Sequence, residues 1–345
     1  MTAPVGSRVG LGTWAIGGPG WRGGWGAQAD ADSLATIHAA LDRGVDWLDT
    51  APLYGRGHAE ELIGRALAER PSDGRGVRLA TKCGWPWVGR RARPFARLTA
   101  ASVRTELEQS LRRLRAERVD LYQIHHPRPP EQLAEGWEEL ARLREQGLVG
   151  ACGVCNAGIA DLERLRGIAP VAALQVPYNL LRRDAEAELL PYCRRHAIPV
   201  LAASPLHSGM LAGGFDRMRV ARLPGDDWRR GHRDFTDPRL AEHLRAVERL
   251  RAAAGGRPLA WLALAWLLAQ SGVHAAILGA RHPRHVAETL TPWPALEAAD
   301  AARLGAVTAS PSPEHRDADL AALRGSVLRY DDPLEPVDEP WEPAG

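Results

Sequence analysis

The sequence predicts an α/β protein closed into a (β/α)8 barrel of the TIM type, with long loops at the face where the strands end. Three observations predict it. Eight strand-length apolar runs alternate with segments of helical periodicity along 345 residues. No linker breaks the alternation, so 1–345 reads as a single domain with a Pro- and acid-rich tail from about residue 310. Polar side chains recur at the C-terminal ends of the runs, which in a barrel open onto one face. A doubly wound sheet is the runner-up. It fits less well, because the first run leads into a long Gly/Trp segment rather than a Gly-rich turn opening a helix.

The runs follow in order. VGLGT (9–13) leads into Trp14. Leu34, Ile37 and Leu41 share one helix face, Gly44 stops that helix, and VDWLD (45–49) ends on Asp49, with Tyr54 five residues on. VRLAT (77–81) delivers Lys82 and then Trp85. Val103, Leu107, Leu111 and Leu114 mark the next helix, and VDLYQI (119–124) delivers His125. Gly147 ends another helix before ACGVC (151–155), which is followed by Asn156. AALQV (172–176) contains Gln175 and precedes Tyr178 and Asn179, while PVLAA (199–203) precedes Ser204. Residues 207–237 are too long and polar for a tight strand–helix turn and are expected to build the site. Leu240, Leu244, Val247 and Arg251 form another helix face, Pro258 starts a further helix, and AAILG (275–279) runs into Ala280 and Arg281.

Composition narrows the class of partner. Lys+Arg 44 against Asp+Glu 42 leaves a net charge of +2, too weak a field to attract nucleic acid or an anionic membrane. The longest apolar stretch, Leu259–Ala269, is well short of the roughly 20 residues of a membrane span. The start, MTAPVGSRVGLGTW, lacks the layout of a secretory signal, and four cysteines give no disulfide framework, so a reducing cytoplasm is expected. The partner expected is a small molecule, and oligomeric state is left open. Lys82 is the single lysine of a chain that uses arginine at every other basic position. An ammonium retained against that bias points to chemistry a guanidinium cannot perform.

Asp49, Tyr54, Lys82 and His125 together suggest one device. A tyrosine with its ordinary pKa of about 10 exchanges protons slowly at neutral pH. An adjacent ammonium favours the phenolate, a carboxylate holds the ammonium, and an imidazole orients a carbonyl oxygen toward the phenol. This is general acid catalysis on a carbonyl, and it needs a separate hydride source.

The motifs DTAPLYG (49–55), GHAEELIG (57–64), ATKCG (80–84), DLYQIHHP (120–127), GVCN (153–156), QVPYNLL (175–181), SPLHSGMLAG (204–213) and LGARHPRHVAE (278–288) resemble those of the aldo-keto reductase family, from GLGTW at 10–14 to about residue 290. The resemblance implies a barrel enzyme that reduces an aldehyde or ketone, sugar-like among them, or runs the reverse, with NADP(H) preferred over NAD(H). It places the family tetrad on Asp49, Tyr54, Lys82 and His125, with Tyr54 the proton donor and His126 only a neighbour. It implies cofactor contacts from Gly12, Thr13, Trp14 and Asp49, from Cys155, Asn156 and Gln175, and from Ser204, Leu206, Ser208, Gly209 and Leu211. Further contacts are implied from Gly279, Ala280, Arg281, His285, Glu288 and Thr289, with Arg281 and Arg284 pairing with a 2′-phosphate. Substrate would meet Trp14, Tyr54, Trp85 and His125, with Trp87 and the 207–237 loop nearby and a basic stretch of Arg90, Arg91, Arg93 and Arg97 beyond. The alternative is an NADP(H)-binding regulatory or scaffold barrel with little turnover.

The sequence also departs from the family pattern. Cys155 replaces a serine, and Ala203 replaces an aromatic that stacks on the nicotinamide, so Trp14 or Tyr178 is expected to compensate. The N-terminal hairpin that closes the barrel floor is expected to be missing or abbreviated. Cys152 and Cys155, three apart on a strand, point to opposite faces and cannot easily pair. No metal-ligand spacing shows, so no metal is expected.

Overall fold

A computed structural model describes residues 5–70, 76–87, 93–291 and 295–308. The eight runs are strands: β1 (Val9–Gly12), β2 (Trp47–Asp49), β3 (Arg78–Cys83), β4 (Val119–Ile124), β5 (Val149–Cys155), β6 (Ala173–Pro177), β7 (Val200–Ala203) and β8 (Val273–Gly279). They pair in parallel and in chain order, and β8 returns to β1, with Leu278 opposite Leu11. That closure excludes the doubly wound sheet. Strand β3 runs two residues beyond its apolar run, because Cys83 still finds Ile124 across β4. Strands β5 and β8 start two residues early, where Val149 meets Val119 and Val273 meets Val200.

The helices between strands are α1 (Asp30–Leu41), α2 (His58–Ala68), α3 (Ala100–Leu114), α4 (Leu133–Glu145), α5 (Ile159–Arg166) and α6 (Leu189–Arg195). After β7 come α7 (Arg217–Ala221), α8 (Arg239–Ala253) and α9 (Leu259–Ala269), and after β8 come α10 (Pro283–Leu290) and α11 (Ala298–Thr308). Gly44 and Gly147 follow helix ends with φ near 80°, and Pro258 occupies the N-cap of α9. Helix α9, apolar nearly all round, is covered on most faces, which explains a run that is too short for a membrane. Among the described residues no helix is long and apolar enough to cross one. The tail from about 310, and Arg90 and Arg91, lie outside the described residues.

Strand alternation sorts the interior into layers. Because successive side chains point to opposite faces, Leu48, Val119 and Leu174 pack outward on the helices. Trp47, Ala80, Leu121, Ala173, Leu201 and Ala275 fill the lower barrel, with Val5 rising from below. Gly10 makes room for the Trp47 indole, since a Cβ there would collide with the ring. Two residues further along, at the same inward positions, stand Asp49, Lys82, Gln123 and Gln175. A dry floor thus carries a polar layer at the mouth. No hairpin precedes β1 among the described residues. Val5 and the Trp47 indole, whose Nε1–H donates to the Ser7 carbonyl, stand at that end instead.

The 207–237 segment is not irregular. It folds into three short 3-10 turns and α7 around its own cluster of Met210, Phe215 and Phe235, with Leu240 of α8.

Candidate active site

Asp49 is the hub of the polar layer. Its Oδ1 receives the Lys82 ammonium at 2.6 Å, and its Oδ2 receives the side-chain amides of Gln175 at 2.8 Å and Gln123 at 3.3 Å. The Lys82 Nζ also donates to the Thr50 carbonyl at 2.8 Å. Lys82 has no exposure and Asp49 almost none, so the pair has exchanged water for four directed hydrogen bonds. A buried ion pair persists only when its remaining lone pairs and protons are used in this way. Thr13 secures the carboxylate's own strand, donating its backbone N–H and its hydroxyl to the Asp49 carbonyl at 2.9 and 3.1 Å.

Tyr54 reaches this layer from the turn after β2. That turn passes so close to Gly17 that a Cβ at Gly55, which has φ 62°, would overlap the Gly17 carbonyl. The Lys82 Nζ lies 5.2 Å from the centroid of the Tyr54 ring, and the His125 ring stands edge-on to Tyr54 at 5.9 Å. Burial pushes the Tyr54 hydroxyl up to about 12, and the Lys82 charge offsets that only in part. This corrects the expectation of a phenol drawn toward neutral pH: desolvation outweighs the ammonium. Burial, with Lys82 and His126 adding to it, holds the His125 imidazole well below its ordinary value, hence neutral. His126 stacks on His125 at 5.2 Å and does not touch the hub.

A cavity of about 410 Å³ runs from Tyr54 along the ends of β7 and β8 to α10. Gly12, Trp14, Asp49, Tyr54, Gln175 and Ala203 line its inner part. Ser204, Leu206, Ser208 and Gly209 line its middle, and Gly279, Ala280, Arg281, Arg284, His285, Glu288 and Thr289 its far end. Four residues expected among the cofactor contacts do not line it. Thr13 is turned onto the Asp49 carbonyl, and Leu211 is wholly buried. Cys155 is buried with its thiol 3.4 Å from Gln175 Oε1, and Asn156 is exposed, its amide donating to the His125 carbonyl at 3.1 Å.

Four further residues have partners other than those expected. Tyr178 cannot replace the missing aromatic at 203, because it is buried against Trp266 with its hydroxyl donating to Glu186 at 2.6 Å. Trp85 packs its ring against His126, outside the cavity lining, and Trp87 lies 6.0 Å from the Arg113 guanidinium. Arg281 is committed elsewhere. It donates to the carbonyls of Trp25 at 2.8 Å and Ala27 at 2.6 Å and to Gln28 Oε1 at 3.0 Å, clamping the loop after β1. Arg284, by contrast, has no side-chain partner among the described residues. The Cys152 thiol donates to the Leu140 carbonyl of α4, on the strand face away from Cys155, and all four cysteines are free.

Sequence reasoning missed the aromatic roof. Trp228 stacks on Trp14 at 5.1 Å, Trp25 meets both rings edge-on, and Trp21 leans on Tyr54 at 6.1 Å. Buried Arg229 joins the two loops. Its guanidinium grips Asp227 through two hydrogen bonds, lies 4.4 Å from the Trp25 ring and donates to the Ser208 carbonyl. The dense Trp content between residues 14 and 25 was the signal available, but its partner Trp228 lies some two hundred residues away. Linear spacing likewise hid the convergence of His207, Asp234 and His243.

A parallel barrel that gathers an ammonium, a carboxylate, a phenol and an imidazole beside one elongated cavity is built as a carbonyl–alcohol oxidoreductase. The comparisons narrow this to a family: the model described as "Aldo/keto reductase family" matches residues 8–308, and the chain belongs to that family. The aldo-keto reductase YhdN of Bacillus subtilis (strain 168) is 38% identical over 280 residues, covering 80% of this chain and 82% of that one. The NADH-specific methylglyoxal reductase of Escherichia coli (strain K12) is 33% identical over 299 residues, covering 82% and 89%. The solved glycerol dehydrogenase AKR11B4 from Gluconobacter oxydans aligns with TM-score 0.77 and 35% identity, covering 96% and 95%. The chain is therefore an enzyme, an oxidoreductase that uses a nicotinamide cofactor on the carbonyl or alcohol groups of small molecules.

Proposed function

We propose that the chain reduces a small, sugar-like aldehyde or ketone, or oxidises the corresponding alcohol, with Tyr54 as general acid. The observation that carries this is the Asp49 hub, which fixes Lys82 beside Tyr54 while the His125 ring stands edge-on to the tyrosine. The residues along the cavity fit a nicotinamide dinucleotide: the Gln175 amide near Tyr54, Ser204, Ser208 and Gly209 in the middle, and the Arg219 and Arg284 guanidiniums at the far end. Such a cofactor supplies the hydride. The protein's own part is to orient and to hold a proton. Neutral His125 donates a hydrogen bond to the substrate oxygen, Tyr54 Oη gives that oxygen its proton, and Lys82 stabilises the phenolate left behind. Trp14, Trp21 and Trp228 exclude water and offer flat faces to a sugar-like substrate. Preference for NADP(H) over NAD(H) is proposed from Arg284 and Arg219, whose guanidiniums suit a 2′-phosphate. A cytoplasmic setting is proposed from four free, buried cysteines.

Tyr54→Phe tests the assignment. The ring is kept, so calorimetry should still show cofactor binding, while turnover on an aldehyde and ketone panel should fall by about 10²–10⁴-fold. Retention of more than a tenth of the activity would transfer the role to His125.

A further inference from the structure

We propose that His207, Asp234 and His243 form a zinc site that fastens the loop after β7 to α8. Each of the three offers one ligand atom within 4.8 Å of the other two. The cluster is separate from the cofactor cavity: Leu206, Ser208 and Gly209 line that cavity, whereas the His207 ring packs edge-on against His243 of α8 at 4.8 Å between centroids. His207 is buried, and its Nε2 has no hydrogen-bond partner among the described residues. A buried nitrogen left in that state is destabilising unless something binds it.

The neighbours are arranged for a metal. Asp234 Oδ2 lies 3.6 Å from His207 Nε2, whereas Oδ1 faces Arg239 at 3.4 Å and Arg233 at 3.9 Å. The two arginines face Oδ1 and leave Oδ2 turned toward the histidines. His243 Nδ1 lies 3.3 Å from the Asp234 carbonyl. With Nδ1–H donating there, Nε2 keeps its lone pair, the usual outer support of a metal-bound imidazole. His232 Nδ1 is 3.7 Å from the same Oδ2 but accepts the Asp234 backbone N–H, so it is not counted as a ligand. Two imidazoles and one carboxylate, with no thiol, suit zinc in a tetrahedral site whose fourth position falls to water. Ligand atoms in such a site are about 3.4 Å apart, so the cluster would contract by about 1 Å. Arg182 also bears on His207 and, with Arg233 and Arg239, tempers the affinity.

Full-length protein stripped with a chelator is titrated with zinc chloride, and separately with cobalt chloride as a visible reporter. Expected are one equivalent bound with a Kd of about 1 μM or tighter, a higher melting temperature with zinc, and intense tetrahedral cobalt bands without thiolate charge transfer. Asp234→Asn and His243→Gln, read separately in case one fails to fold, should each abolish the equivalent. Exposed His196→Gln should retain it. Binding no tighter than about 100 μM, a weak octahedral cobalt spectrum, or undiminished binding in the folded Asp234→Asn protein would overturn the site.

Discussion

Lys82 shows what one residue contributes and how far it was legible. A lone lysine at a strand end marked the position, and the structure places its ammonium 2.6 Å from Asp49 with no exposure. Gln123 carried a signal that was missed: it is polar at an inward-facing position, two residues after Leu121 of the floor. What composition could not show is the balance at Tyr54, because burial depends on the assembled roof. With the phenol at about 12, alcohol oxidation, which needs the phenolate, should rise with pH through the whole accessible range. Carbonyl reduction, which needs the protonated form, should stay flat up to about pH 10. Lys82→Met removes the group that pulls the pKa down and so moves the oxidation limb to still higher pH. Lys82→Arg keeps the charge but puts a planar fork where a point charge fits between Asp49 and Tyr54, and should lose most activity. The pH–rate profiles of both variants beside the parent decide this, with thermal melts to check folding, because breaking a buried pair is destabilising by about 3–5 kcal/mol. Parent-like turnover by Lys82→Arg would make the lysine incidental.

At the scale of elements, strands and long helices were legible from period and punctuation, whereas loops were not, because their partners are remote in sequence. Arg281 was expected on a phosphate and instead clamps the Trp25–Gln28 segment, while Arg284 stands uncommitted on α10. The two substitutions should therefore part company. Arg281→Ala releases the loop over the cavity and should weaken NADPH and NADH alike. Arg284→Ala removes a charge-assisted contact worth about 1.5–3 kcal/mol and should weaken NADPH about 10- to 100-fold with little effect on NADH. Titration of each protein with both cofactors separates them, and equal losses in Arg284→Ala would refute the assignment. Helix α3 holds a second device. Its Glu106 accepts the backbone N–H groups of Gly84 and Trp85, so it supports the loop after β3. Burial pushes this carboxyl up to about 7 from 4.5, with those hydrogen bonds and Arg113 opposing. A raised folded pKa means that its contribution is whole below 4.5 and is lost as pH rises through 7. Glu106→Gln, which cannot ionise, should gain on the parent by about 2 kcal/mol between pH 5.5 and 8.5. Unfolding midpoints at the two pH values test this, and a constant difference would show that Glu106 does not titrate.

Across the whole barrel, stability and chemistry are stacked along one axis. The same alternation that puts Asp49, Lys82 and Gln175 at the mouth puts Trp47, Ala80 and Ala173 beneath them, so on β2, β3 and β6 a floor residue is followed two positions later by a residue of the polar layer. The floor has its own closure: Val5 enters from the N-terminus, and the Trp47 indole fills the space that Gly10 leaves and donates to the Ser7 carbonyl at 2.9 Å. In a (β/α)8 barrel the strand C-termini carry the reaction and the N-terminal end carries stability. Trp47 tests whether the two are separable here, because it is only two residues from Asp49 on the same inward face. Trp47→Ala removes one of the largest wholly buried side chains and should destabilise by about 3–5 kcal/mol, enlarged by whatever cavity fails to collapse. The urea midpoint should fall by the corresponding amount. Under conditions where the variant is fully folded, kcat should stay close to that of the parent, because the Asp49 carboxylate is held by Lys82, Gln123 and Gln175 rather than by the indole. A variant that melts like the parent would mean that the floor is closed by other groups. One that keeps its fold but loses turnover would mean that the polar layer rests on the floor, and that the separation of the two ends fails in this chain.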